Sequence, residues 1–256
     1  MIKTGFRTVG FSRWNIFDAL KKIKDTGYEG VELCLEHPDM IPQKMNDEVI
    51  NRIRCYTEEI GLKIASLSYH GDNDSLDEKI LNTYKAIDIA HKMGVSVLII
   101  NCEKKNREKA AQYDNLVRRI KDFTSYAEEK NVTLAVEPEP LLVVETAEEA
   151  LRLIDDVASP NLKVNLDVGH TYITDPDLSE AILKLKDVVV HVHIEDIKGK
   201  VHKHLYPLDG DIDYRSVFNA LERIGYSGYY VVDLAGIQDA PDVHARICLE
   251  RLQKFL

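Results

Sequence analysis

Short apolar runs alternate with amphipathic segments of helical length from one end of the chain to the other. That alternation predicts parallel strands joined by crossover helices, since a parallel neighbour is reached only by carrying the chain back along the sheet. The runs read as strands at Ile2 to Phe6, Gly30 to Leu35, Lys63 to Ser68, Ser96 to Asn101, Thr133 to Glu137, Leu162 to Asp167, Val188 to Ile194 and Tyr229 to Leu234. Ser75 with Glu78 and Thr146 with Glu149 have the spacing of capping boxes, and Pro241 suits the first turn of the last helix. Gly27, Gly61, Gly94 and Gly225 stand where a left-handed residue stops a helix at little steric cost. Eight such units with no low-complexity linker between them predict an α/β fold of one domain over residues 1–256, a closed (β/α)8 barrel rather than a doubly wound sheet.

Side chains alternate between the two faces of a strand, so parity separates the barrel interior from the helix layer. In the seventh strand Val190, Val192 and Ile194 suit the helices, which leaves His191, His193 and Glu195 inward. In the sixth, Leu162, Val164 and Leu166 are apolar and Lys163, Asn165 and Asp167 face inward; in the fifth, Leu134 and Val136 oppose Thr133, Ala135 and Glu137. Asp233 ends the eighth strand on the inward face, and Ser66, Ser68 and His70 form the inward series of the third. Glu137, Asp167, His193 and Asp233 therefore meet at the carboxyl end of the barrel, where active sites of this architecture are built. His191 lies deeper and reads as a hydrogen-bonded core histidine. Glu36, His37, His91 and His244 read as surface or structural residues.

Composition sharpens this reading. Five of the nine histidines lie between His170 and His204, interleaved with carboxylates. Imidazole and carboxylate together suit Mn²⁺, Mg²⁺, Co²⁺ or Zn²⁺, so the expected cofactor is a divalent metal on Glu137, Asp167, His193 and Asp233. At 45% hydrophobic and 30% charged residues the chain has ample material for a core. A formal charge of −10, from 33 basic and 43 acidic residues, disfavours a nucleic-acid or anionic-membrane partner. Cys34, Cys55, Cys102 and Cys248 form no Cys-x-x-Cys pair, and neither a signal core nor a run of about 18 apolar residues is present, which predicts a cytoplasmic protein. Lys198, Lys200, Lys203 and His204 make one loop locally basic, a candidate grip for an anionic substrate group, with a solvated charged loop as the plain alternative.

Val136-Glu137-Pro138, Asn165-Leu166-Asp167-Val168-Gly169-His170, His191-Val192-His193-Ile194-Glu195-Asp196 and Gly210-Asp211-Ile212-Asp213 followed by Leu221 to Gly228 resemble the xylose isomerase-like TIM barrel superfamily. The resemblance spans nearly the whole chain and is to the sugar phosphate isomerase/epimerase group, whose relatives include tagatose epimerase-like enzymes and apurinic endonucleases. It implies metal ligands at Glu137, Asp167, His193 and the acidic residue ending the eighth strand. There the usual pattern has Glu and this chain has Asp233, one methylene shorter. The resemblance also implies a small carbohydrate-like substrate and, because such barrels are often dimers or tetramers, a homo-oligomer.

The expected activity is isomerisation or epimerisation of a sugar, sugar phosphate or keto-polyol. In such relatives the metal chelates a carbonyl and the adjacent hydroxyl and stabilises an enediolate. Glu137 and Asp233 are the expected acid–base pair, and His170 orients or donates to a substrate oxygen. A dehydratase would use the same groups. The main alternative is a multi-zinc hydrolase or phosphodiesterase of the apurinic endonuclease-like type, with His70, His170, His202 and His204 as additional ligands. Against a complete trinuclear set, the fourth strand ends in Asn101-Cys102-Glu103 where the endonucleases have histidine. A third reading, prompted by Asp233, is a barrel that binds sugar without turning it over.

Overall fold

The computed structural model describes residues 2–236 and 239–255. Among these, eight parallel strands close into a barrel in chain order: β1 (Lys3–Arg7), β2 (Gly30–Cys34), β3 (Lys63–Tyr69), β4 (Val97–Asn101), β5 (Thr133–Glu137), β6 (Leu162–Asp167), β7 (Val189–Ile194) and β8 (Tyr229–Val232). The predicted strands recur within a residue or two at each end. Two of the small differences matter: β1 runs on to Arg7, and β8 stops at Val232, so that Asp233 follows the strand. Among the described residues no helix is long and apolar enough to cross a membrane.

Local chemistry ends the helices where expected. Ser75 and Glu78 cap the helix Leu76–Met93 reciprocally, and Gly94 closes it at φ 69°. Thr146 and Glu149 do the same for Ala147–Val157, and Pro241 opens Pro241–Leu252.

The two faces of the strands have different jobs. Val31, Leu33, Leu67, Leu98, Leu134, Val136, Leu166, Val192 and Ile194 are buried in the apolar core, each contributing about 1.5–3 kcal/mol of burial free energy. The opposite face places Arg7, Glu32, Ser66, Ser68, Asn165, His191 and His193 in the barrel, all buried. Burying such groups is costly unless each has a partner, so the interior must form a network. Register shifts occur between Val31 and Glu32 and between Val164 and Asn165. Irregularities of this kind re-aim side chains beside active sites.

Candidate active site

Glu137 and Asp167 are the last residues of β5 and β6, and His193 is the penultimate residue of β7. Each offers a ligand atom within 4.8 Å of the others, and all three are buried. His193 Nδ1 is 3.5 Å from Glu137 Oε2 and 3.8 Å from Asp167 Oδ2. Asn165 Nδ2 donates to Glu137 Oε2 at 2.9 Å and lies 3.0 Å from His193 Nδ1, tying two strands together beneath the mouth. On its other edge, His193 Nε2 is 2.8 Å from Glu32 Oε2. A carboxylate on the far nitrogen fixes the ring and turns Nδ1, which Asn165 Nδ2 approaches at 3.0 Å, toward Glu137 and Asp167, as in carboxylate–histidine–metal arrangements.

Electrostatics follows from this crowding. Burial opposes charge on Glu137, but His193 and His70 outweigh it and hold the carboxyl well below its ordinary value. Burial likewise opposes charge on His193, and Glu32 and Glu137 outweigh it upward. His70 Nε2 lies 3.3 Å from Glu137 Oε2; against the cost of burial, that contact lifts its imidazole to about 9. Glu195 is pushed upward, first by burial and then by Asp167, while its Oε1 accepts from Gly169 N at 2.5 Å.

Asp167 Oδ1 accepts from His170 N at 2.7 Å, which caps the short helix Val168–Thr174 and sets His170 beside the triad. His170 Nδ1 is 3.4 Å from Glu137 Oε1, and its Nε2 is 2.9 Å from His202 Nε2. His170, His202 and His204 form a second group with ligand atoms within 4.8 Å of one another. Burial and the neighbouring imidazoles lower His202 to about 4. The loop carrying His202 and His204 is anchored by Asp196, which accepts from the backbone N–H groups of Ile197 (2.8 Å), Leu208 (2.9 Å) and Ile212 (3.2 Å).

Asp233 is placed differently. Its Oδ2 is ion-paired with Arg7 Nη1 and its Oδ1 accepts from Ala235 N at 2.9 Å. It is not among the atoms grouped with Glu137, Asp167 and His193. Burial opposes its charge, but Arg7 outweighs it and holds the carboxyl at about 2. Lys198 and Lys200 are exposed, with Lys200 Nζ 5.6 Å from the centre of the Tyr172 ring, and no hydrogen bond or ion pair joins either to the triad among the described residues. His191 is the core histidine expected: it lies 2.9 Å from both Ser66 Oγ and Asn165 Oδ1, and burial lowers it to about 3.

Arg7 and Glu32 escape the sequence reading, although Glu32 stands at inward parity between Val31 and Leu33. Glu36 has the structural role that is one of the two expected of it. Its Oε1 accepts from the backbone of His70 and from Gly71 N, the latter at 3.2 Å, so it shapes the end of β3.

The donor set suits a divalent cation. Asp167 Oδ2, His170 Nδ1 and His70 Nε2 are buried, converge on Glu137 or Asp167, and make no hydrogen bond among the described residues. Oxygen and imidazole donors gathered in contact but without hydrogen bonds between them are what such an ion requires. A cavity of about 470 Å³ at the same end of the barrel is walled by Gly71, Asp72, Cys102 and Glu139 from the loops after β3, β4 and β5 and by Lys79 of the helix Leu76–Met93.

Comparison with known proteins agrees with this architecture. The chain is 25% identical to fructoselysine 3-epimerase of Shigella flexneri over 271 aligned positions, covering 100% of this chain and 98% of the relative. It is 24% identical to inosose dehydratase of Bacillus velezensis, over 84% of this chain and 79% of that one. The crystal structure of IolI with a bound zinc atom superposes with a TM-score of 0.83 at 19% identity, over 99% of this chain and 97% of the other. The family model for the xylose isomerase-like TIM barrel matches residues 20–249, and the chain belongs to that family.

Proposed function

We propose that this protein is a divalent-cation-dependent enzyme that epimerises or isomerises a ketose-type carbohydrate. The observation that carries the reading is the convergence of Glu137, Asp167 and His193 at the carboxyl mouth of the barrel, with buried polar atoms around them that make no hydrogen bond among the described residues. Support comes from the epimerase and dehydratase activities in the names of full-length relatives and from the zinc held by a barrel of the same fold.

Glu137, Asp167 and His193 would hold the cation, with Glu32 fixing the His193 ring from behind. A bound divalent cation supplies charge stabilisation for an oxyanion that develops when a proton leaves the carbon beside a carbonyl. Glu137, ionised and flanked by His70 and His170, removes that proton. Inversion requires a proton returned to the opposite face; Asp233, three strands round the ring and ionised beside Arg7, is the second carboxylate and would first take that proton up from solvent, while Glu137 gives its own back to solvent. His170, fixed by the Asp167 cap, orients a substrate oxygen. The cavity beside Glu139 receives the part of the substrate away from the reacting carbon.

The histidine group at His170, His202 and His204 favours a second reading, a hydrolase holding further zinc ions, because three imidazoles so close together form a zinc-type donor set. Metal analysis of protein purified without chelator or added metal, coupled to assays on ketoses, inososes and phosphodiesters, separates the two. One divalent ion per chain with turnover of a ketose is the expected result. Two or three zincs with phosphodiester cleavage would overturn it.

A further inference from the structure

Arg7 is the last residue of β1, and its side chain is 4% exposed. Its guanidinium lies against two carboxylates, a hydroxyl and an imidazole. Nε is 2.7 Å from Glu32 Oε1, Nη1 pairs with Asp233 Oδ2, and Nη2 donates to Ser68 Oγ at 3.3 Å with His70 Nδ1 at 3.5 Å. One buried cation therefore grips both the carboxylate that orients His193 and the carboxylate that ends the ring at β8. Each Asp233 oxygen has a partner outside the triad, Oδ2 in Arg7 and Oδ1 in Ala235 N. Asp233 is also a short side chain, with less reach toward the triad than a glutamate would have.

We propose that Arg7 is a positioning residue that holds Asp233 off the cation, so that three side chains bind the ion and Asp233 stands as an outer carboxylate that relays a solvent proton to the substrate. This rests on the cation-dependent reading above. Two features make the arrangement self-consistent. Arg7 keeps Asp233 ionised without spending it on the ion, and the two carboxylates on Arg7 screen its charge from a second positive charge nearby. Three protein ligands also leave positions open for substrate oxygens, as catalytic metal sites do.

The test is calorimetric titration of Mn²⁺ into the metal-free full-length protein and its variants, with turnover measured on each. Asp233→Asn is expected to bind Mn²⁺ within about threefold of the parent protein, while kcat falls by about a hundredfold. A loss of about tenfold or more in affinity would make Asp233 a ligand and overturn the proposal. Arg7→Gln removes a positive charge and releases Asp233, so Mn²⁺ should bind at least about threefold more tightly; weaker binding by the folded variant would contradict the proposal. Where Arg7→Gln does not fold, Asp233→Asn decides alone, and Co²⁺ absorption bands unchanged by that substitution are the second expected sign. Glu137→Gln separates the two levels of argument. If it too leaves Mn²⁺ affinity unaltered, the cation reading fails and this proposal with it; if Glu137→Gln and Asp233→Asn both weaken binding, only the role assigned to Arg7 fails.

Discussion

From β5 to β7 and from β8 to β2, the barrel mouth carries buried carboxylates in different company. Glu137 and Asp167 face the imidazoles of His70, His170 and His193, and Asp167 Oδ2, His170 Nδ1 and His70 Nε2 make no hydrogen bond among the described residues. Asp233 and Glu32 instead share the guanidinium of Arg7. The two sets differ in the kind of partner the chain supplies: a permanent guanidinium for Asp233 and Glu32, imidazoles for Glu137 and Asp167. On the proposed reading imidazoles share the site with an ion and leave that arc open to it, whereas a guanidinium closes its arc and turns its carboxylates into supports.

The largest effect should come from the open arc. Glu137→Gln keeps the shape and removes the charge, and kcat should fall by about a thousandfold with the fold intact by circular dichroism. Retained turnover would remove Glu137 from the chemistry and erase the contrast between the arcs. Chelation followed by dialysis should abolish turnover of the parent protein, and Mn²⁺, Co²⁺ or Zn²⁺ should restore it. An enzyme unaffected by thorough metal removal would break the comparison at its base.

Smaller effects sharpen it. Glu32→Gln leaves the first shell intact but unfixes His193, so cation affinity should fall by about 10–100-fold in a titration. An unchanged affinity would show that the closed arc does not support the open one. At Gly169 a Cβ would collide with the Glu195 carboxyl, so Gly169→Ala should cost about 1–3 kcal/mol in denaturant unfolding. A neutral substitution would mean that Glu195 is free to move. The smallest effect belongs to the exposed loop: Lys198→Gln and Lys200→Gln should each change KM by less than about threefold, as expected of solvated charges. A change much larger than that would restore their role in gripping the substrate.

Much of this arrangement is legible in the sequence because strands alternate. Parity alone puts Glu137, Asp167 and His193 at one end of one interior and leaves His191 below them as a core residue. The glycine and capping signals place the helix ends for the same reason, that backbone groups at a helix terminus must find partners locally. Arg7 is lost because an apolar run gives no sign that β1 continues one residue past Phe6. Glu32 is lost for the opposite reason: it stands at the correct parity, but a single acid within an apolar strand carries no hint of the arginine and histidine it joins from β1 and β7. The Lys198–His204 segment is hardest of all. Its path depends on Asp196 collecting amides from Leu208 and Ile212, contacts that no periodicity encodes.

The central claim is that a divalent cation is held by Glu137, Asp167 and His193 and not by Asp233. Anomalous diffraction from crystals grown with Mn²⁺ tests it most directly. The account predicts one strong peak bounded by those three side chains, with Asp233 still paired to Arg7. The absence of a peak there, or an ion found only among His170, His202 and His204, would contradict it.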